Sequence, residues 1–207
     1  MRDHACKITT SNNFERGFTF FELLVSFAIV GILIAIIIPN YGDSNETFSL
    51  DHEAKRLSLT IREAQVSATA ARESPVSPGN FDSAYGAYLN LSAPTQYIYF
   101  ADSTGAGVYG SGSSCVSASG CISKEVFKSG YTITKLCANL TADPAILDCT
   151  LTELTIAFAR PSLGSIIQGV GSSGPIGGYI YAEVTLTSPR GKTKTVSVWS
   201  SGQSYIQ

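Results

Sequence analysis

Three textures follow one another along the chain. From Phe18 to Pro39 it reads FTFFELLVSFAIVGILIAIIIP, apolar on every side of a helix, with Glu22 as its one charge. At 1.5 Å per residue such a helix is about 33 Å long, enough to cross a hydrocarbon core of about 30 Å. The pattern predicts a membrane-spanning segment over 18–41. Asn40 to Thr47 is polar and predicts a loosening of the chain. Beyond it Leu50, Ala54, Leu57, Ile61, Ala64, Ala68 and Ala71 recur at alternating spacings of four and three, one stripe of an amphipathic helix. Ser49 stands where an N-cap belongs, Asp51 and Glu53 complement the positive end of the dipole, and Ser74-Pro75 closes the helix.

From Phe81 onward the chain changes to short runs rich in aromatic and β-branched residues, punctuated by Gly, Ser and Pro. Tyr85–Leu91, Tyr97–Phe100, Tyr131–Leu136, Leu151–Phe158 and Tyr179–Thr187 read as strands. The clearest hairpin is the last, where Ile180, Ala182, Val184 and Leu186 alternate with other residues. Ser188-Pro189-Arg190-Gly191 turns the chain and Thr193–Trp199 returns. The expected fold class is α+β, a long N-terminal helix packed on an antiparallel sheet or sandwich head. Its segments are 42–75 for the linker and amphipathic helix and 76–207 for the head.

Composition sharpens this in one respect. Charged residues are only 14% of the 207, against a usual value of about 25%, and the shortage is concentrated in the apolar run. The net charge of −2 excludes a strongly basic nucleic-acid binder. Arg2, Lys7 and Arg16 outnumber Asp3 and Glu15 before the apolar run, whereas Asp43, Glu46, Asp51 and Glu53 follow it ahead of Lys55. That asymmetry leaves the N-terminus cytoplasmic and the head outside. The run is too long for a cleavable secretory signal, and no A-x-A-like site follows it. An ordinary signal anchor leaves Glu22 unexplained, since a carboxylate in an apolar helix is costly and marks function.

Arg16-Gly17-Phe18-Thr19-Phe20-Phe21-Glu22, followed by the apolar helix with Gly31 and Pro39, resembles the processing site and stem of type IV prepilins and type II secretion pseudopilins. The resemblance implies cleavage by a membrane prepilin peptidase between Gly17 and Phe18, which removes a leader over 1–17, and N-methylation of Phe18. It further implies assembly with other pilins into a helical filament on an inner-membrane platform. Glu22 would meet the cationic Phe18 amine of another subunit and so serve assembly, while Gly31 and Pro39 would lend the stem flexibility. AKRLSLTIREAQVSATAARESPV, the strand with Tyr85-Gly86, and the hairpin ending in Ser200-Ser201-Gly202 are similar to the minor subgroup of the secretion-system H subunit and the T and U minor pilins. That second resemblance implies a sandwich-like head and low copy number near a filament tip.

The chain has an odd count of five cysteines. With Cys6 in the leader, Cys115, Cys121, Cys137 and Cys149 remain in the exported head, where oxidation is permitted. They allow three pairings, of which Cys115 with Cys121 and Cys137 with Cys149 close the shortest loops. A zinc site is the alternative, but there is no CxxC knuckle and His52 is the only histidine beyond the leader. Gly105-Ala106-Gly107-Val108-Tyr109-Gly110 matches G-x-G-x-x-G, but a Gly/Ser loop follows it instead of a helix, so it reads as a surface turn. Asp102 to Gly107 is a degenerate calcium loop in which Thr104 and Ala106 replace ligand carboxylates. No cofactor is expected, with calcium held through carbonyls at the Asp102 loop as the alternative. With no G-x-S-x-G, HExxH or triad, the expectation is a non-enzyme.

Some relatives in the minor subgroup capture DNA through a basic C-terminal tail. Here Arg190, Lys192 and Lys194 cluster on the hairpin tip, but the end of the chain, from Gly202 to Gln207, has no arginine. Two function classes therefore stand side by side: a structural filament subunit, and a surface-displayed minor pilin that binds DNA or a solid surface in uptake or adhesion.

Overall fold

Helix α1 spans Phe20–Thr69. The computed structural model describes residues 17–110, 112–141, 147–162, 164–171 and 174–207, the side chains of 37–43 and 175 excepted. The chain divides into two compact units, 1–44 and 45–207. Asn40–Thr47 lies inside α1, which corrects the expected loosening. Asn, Asp and Ser are only mildly unfavourable in a helix, so polarity alone does not end one. Ser49 is accordingly no cap; its hydroxyl accepts a hydrogen bond from Lys128 Nζ at 3.0 Å. Nor does the helix run to Ser74-Pro75, because Ala71 turns left-handed with φ at 49°.

Among the described residues ten strands follow: β1 Ala84–Asn90, β2 Gln96–Asp102, β3 Cys121–Val126, β4 Thr132–Asn139, β5 Glu153–Phe158, β6 Ser165–Gly171, β7 Gly174–Tyr179, β8 Tyr181–Thr187, β9 Thr193–Trp199 and β10 Ser204–Ile206. They form a six-stranded sheet in the order β3-β2-β1-β5-β6-β7 and a four-stranded sheet in the order β10-β9-β8-β4. All pairings are antiparallel. The stretch expected as one strand over Tyr179–Thr187 is two, divided at Ile180 between the sheets. Ile180 donates its amide to Asn139 and its carbonyl accepts from Ser200, so it holds the crossover without joining either ladder.

The amphipathic stripe explains how the second half of α1 meets both sheets. Leu50, Ala54, Leu57, Ile61, Ala64 and Ala68 are buried with Tyr85, Leu89, Tyr97 and Tyr99 from the first sheet and Leu136, Val184, Leu186, Val196 and Val198 from the second. Alanines on the helix leave room for tyrosines on the sheet, and each tyrosine then finds a polar partner at its tip. Tyr97 Oη is 3.1 Å from Thr60 Oγ1. Tyr99 Oη donates to Ser67 Oγ at 3.1 Å, and Tyr85 Oη donates to the Arg72 carbonyl at 2.9 Å.

The six-stranded sheet is covered on its other face too. Tyr88, Ile98, Phe100 and Ala157 pack there with Tyr109 of the long connection from β2 to β3 and with Cys121 at the start of β3. Two-sided burial explains why β1 and β2 carry apolar or aromatic residues at nearly every position. Gly86 follows from the same crowding: a Cβ there would lie 2.8 Å from the Phe100 ring and 2.7 Å from the Ile156 carbonyl.

Candidate functional site

Gly17, Phe18 and Thr19 precede α1 in non-helical backbone. Thr19 is the N-cap: its Oγ1 accepts the Glu22 amide at 3.3 Å, and its carbonyl accepts the Leu23 amide at 3.2 Å. Thr19-x-x-Glu22 has the form of a capping box, with the Glu22 carboxylate in the first turn at the positive end of the dipole. Ser26 Oγ donates to the Glu22 carbonyl at 2.8 Å. Thr19 was absent from the expected site residues, although a T-x-x-E before an apolar run is a recognisable helix start.

Every described residue from Gly17 to Ile36 is exposed. Phe20 is 79% exposed, Phe27 68% and Ile32 63%, on two different sides of the helix. Among the described residues nothing lies within 4 Å of a Cβ built at Gly17 or at Gly31. A helix that is apolar all round requires apolar surroundings, whether lipid or other helices. Among the described residues no helix is long and apolar enough to cross a membrane. The described apolar side chains stop at Ile36, whereas the span expected from the sequence continues to residue 41. Pro39 lies within the bounds of α1, but its side chain is outside the described residues, as are Cys6, Arg16 and the rest of the leader.

The family described as the prokaryotic N-terminal methylation motif matches residues 12–38. At its N-terminus the chain carries the processing and methylation motif of type IV prepilins and pseudopilins. No curated protein and no solved structure matches it. The arrangement is coherent with that motif: the Gly17-Phe18 junction ahead of a capped helix start bearing Glu22, an apolar stem exposed at every described residue to Ile36, and a helix-on-sheet head as in the pilin fold. Processing by a prepilin peptidase and assembly with other pilins go with the motif, as does a membrane-anchored protein that passes into a filament. The family is structural and not catalytic.

The remaining predicted site residues lie in the head. Disulfides join Cys115 to Cys121 and Cys137 to Cys149. Asp102 turns its carboxylate on its own loop, accepting from Thr104 N at 2.8 Å, Gly107 N at 2.9 Å and Val108 N at 3.3 Å. The G-x-G-x-x-G segment continues from that turn. His52 is exposed on α1.

Arg190, Lys192 and Lys194 are on the β8–β9 hairpin, and the hairpin docks on α1. Glu46 Oε1 accepts the Arg190 amide at 2.8 Å, the Arg190 Nε is 3.5 Å from Oε2, and Lys192 Nζ donates to Thr47 Oγ1 at 2.9 Å. The Ser188 hydroxyl, the Arg190 amide and the charges of Arg190 and Lys192 hold the Glu46 carboxyl below the usual range, against the opposing push of burial. Arg190 and Lys192 thus have acceptors within the head, and Glu46 was missed because an acidic residue in a polar stretch carries no pattern of its own.

Proposed function

We propose that the chain is a minor pilin or pseudopilin, a structural subunit of a type IV pilus or type II secretion pseudopilus. Prepilin peptidase cuts between Gly17 and Phe18 and the new Phe18 amine is methylated. The protein stands in the inner membrane as a single-pass subunit with its N-terminus cytoplasmic and its head outside, through a stem over 18–41. The assembly platform then draws it into a filament. Glu22 neutralises the Phe18 amine of a neighbouring subunit as the stems come together, and Gly31 and Pro39 let the stem bend during that transfer. Disulfides harden the exported head.

The observation that carries this reading is the stem itself: apolar on all sides, exposed at every described residue to Ile36, and carrying one carboxylate in its capped first turn. A filament subunit is preferred to a DNA-binding display because Arg190 and Lys192 are engaged with Glu46 and Thr47. Gly17→Ala should block processing, and Glu22→Ala should block incorporation while leaving the head folded. Normal filament incorporation of both variants contradicts the proposal.

A further inference from the structure

The connection from β2 to β3 covers only part of the outer face of the six-stranded sheet. Beside its edge is a cavity of about 150 Å³ lined by Tyr88, Tyr109, Val108, Glu153, Gln168 and Val170, among others. Strand alternation brings these residues to one face. Leu89, Leu154 and Ile167 point toward α1, so their neighbours Tyr88, Glu153 and Gln168 point away from it. Tyr109 comes from the connection, which the Cys115–Cys121 disulfide ties to the start of β3. Its ring centroid lies 5.2 Å from that of Tyr88 and 5.3 Å from that of Phe100.

Glu153 is the one charged residue in the lining. Asn90 orients it, donating from Nδ2 to Glu153 Oε1 at 3.2 Å and to Tyr88 Oη at 2.9 Å. Among the described residues no salt bridge reaches Glu153. Burial, with the nearby Glu153 carboxylate, pushes the Tyr88 phenol up to about 12, so its ring stays neutral at physiological pH. A fixed carboxylate without a cation, next to two tyrosine rings, is a site of negative potential, and ring faces attract cations as carboxylates do. An anion would meet like charge there. The volume admits a group the size of one side chain, and Val108 and Val170 offer it an apolar wall.

We propose that this cavity binds an alkylammonium group, with the nitrogen at Glu153 and the tyrosine rings and the alkyl stem along Val108 and Val170. Such a group is either a free amine or the lysine side chain of a polypeptide. The site is independent of the N-terminal stem and of the pilin reading.

The test is NMR titration of the full chain in detergent, following the Tyr88, Tyr109 and Gln168 amides. The probes are n-butylammonium and the peptide acetyl-Gly-Lys-Gly-amide, with butanol and the norleucine peptide as neutral counterparts. Saturable shifts with a cationic probe and none with its neutral counterpart support the site. Shifts with butylammonium alone assign it to a free amine, and shifts with the lysine peptide alone assign it to a polypeptide. Glu153→Gln keeps an acceptor for Asn90 and should weaken binding by about tenfold, the scale of losing a charge-assisted contact. Tyr109→Phe keeps the ring and should bind within about twofold of the parent. The proposal is overturned if no probe shifts these resonances, if neutral and charged probes act alike, or if Glu153→Gln binds like the parent.

Discussion

At Ala71 the backbone adopts φ of 49°, and two bonds close the end of α1 around it. The Arg72 amide donates to the Ser67 carbonyl at 3.2 Å and the Ala71 amide to the Ala68 carbonyl at 3.4 Å. This is the pairing of a Schellman cap, in which the left-handed position usually holds glycine. The alanine Cβ costs about 1 kcal/mol there. Ala71→Gly should therefore stabilise the head by about 1 kcal/mol, read as a higher urea midpoint with an unchanged slope. The amphipathic pattern, which counts Ala71 into the buried stripe, expects the opposite sign, since glycine inside a helix costs about 1 kcal/mol relative to alanine. Spacing could not reveal the difference, because the last member of a three-four repeat looks the same whether the helix continues or has just ended. Glu22 shows the converse. Its oddity in an apolar run was legible, while its place in the first turn behind Thr19 needed the backbone.

Among elements, legibility followed how strongly each side chain pattern was forced. The second half of α1 and the β8–β9 hairpin have one buried and one open face, so their periods of 3.6 and 2 stand out. β3 was missed because it is an edge strand in which Lys124 and Glu125 interrupt the apolar signal; Arg56 on α1 meets Glu125 Oε2 at 3.0 Å and the Val126 carbonyl at 3.3 Å. β6 and β7 are rich in glycine and pair mainly through backbone, and β10 is only three residues long. The docking of the hairpin on α1 joins residues far apart in sequence and had no local signal. It makes an acid-sensitive contact. Glu46 titrates lower when folded than unfolded, so its stabilising effect is full above the ordinary glutamate value of 4.5 and is lost as pH falls through the lowered one. Hydrogen exchange at the Arg190 amide should accelerate, after correction for intrinsic rates, as pH drops below that ordinary value. Glu46→Gln should remove the dependence. Reading that single amide separates Glu46 from Asp51 and Asp148, which Lys55 and Thr150 also hold low.

For the whole molecule, the two units have opposite solvent requirements. Unit 45–207 encloses its own core between α1 and two sheets and carries two disulfides. In unit 1–44 the described residues from Phe20 to Ile36 present an exposed apolar helix, which water does not tolerate and which lipid or neighbouring stems would cover. The charge shortage in the composition was the first trace of that division, and the motif at residues 12–38 supplies its meaning. The most direct measurement is mass spectrometry of the N-terminal peptide of the protein recovered from membranes of cells that contain a prepilin peptidase. The account predicts a chain beginning at an N-methylated Phe18. A chain that keeps Gly17 and the residues before it, or one cut at another bond, would contradict it.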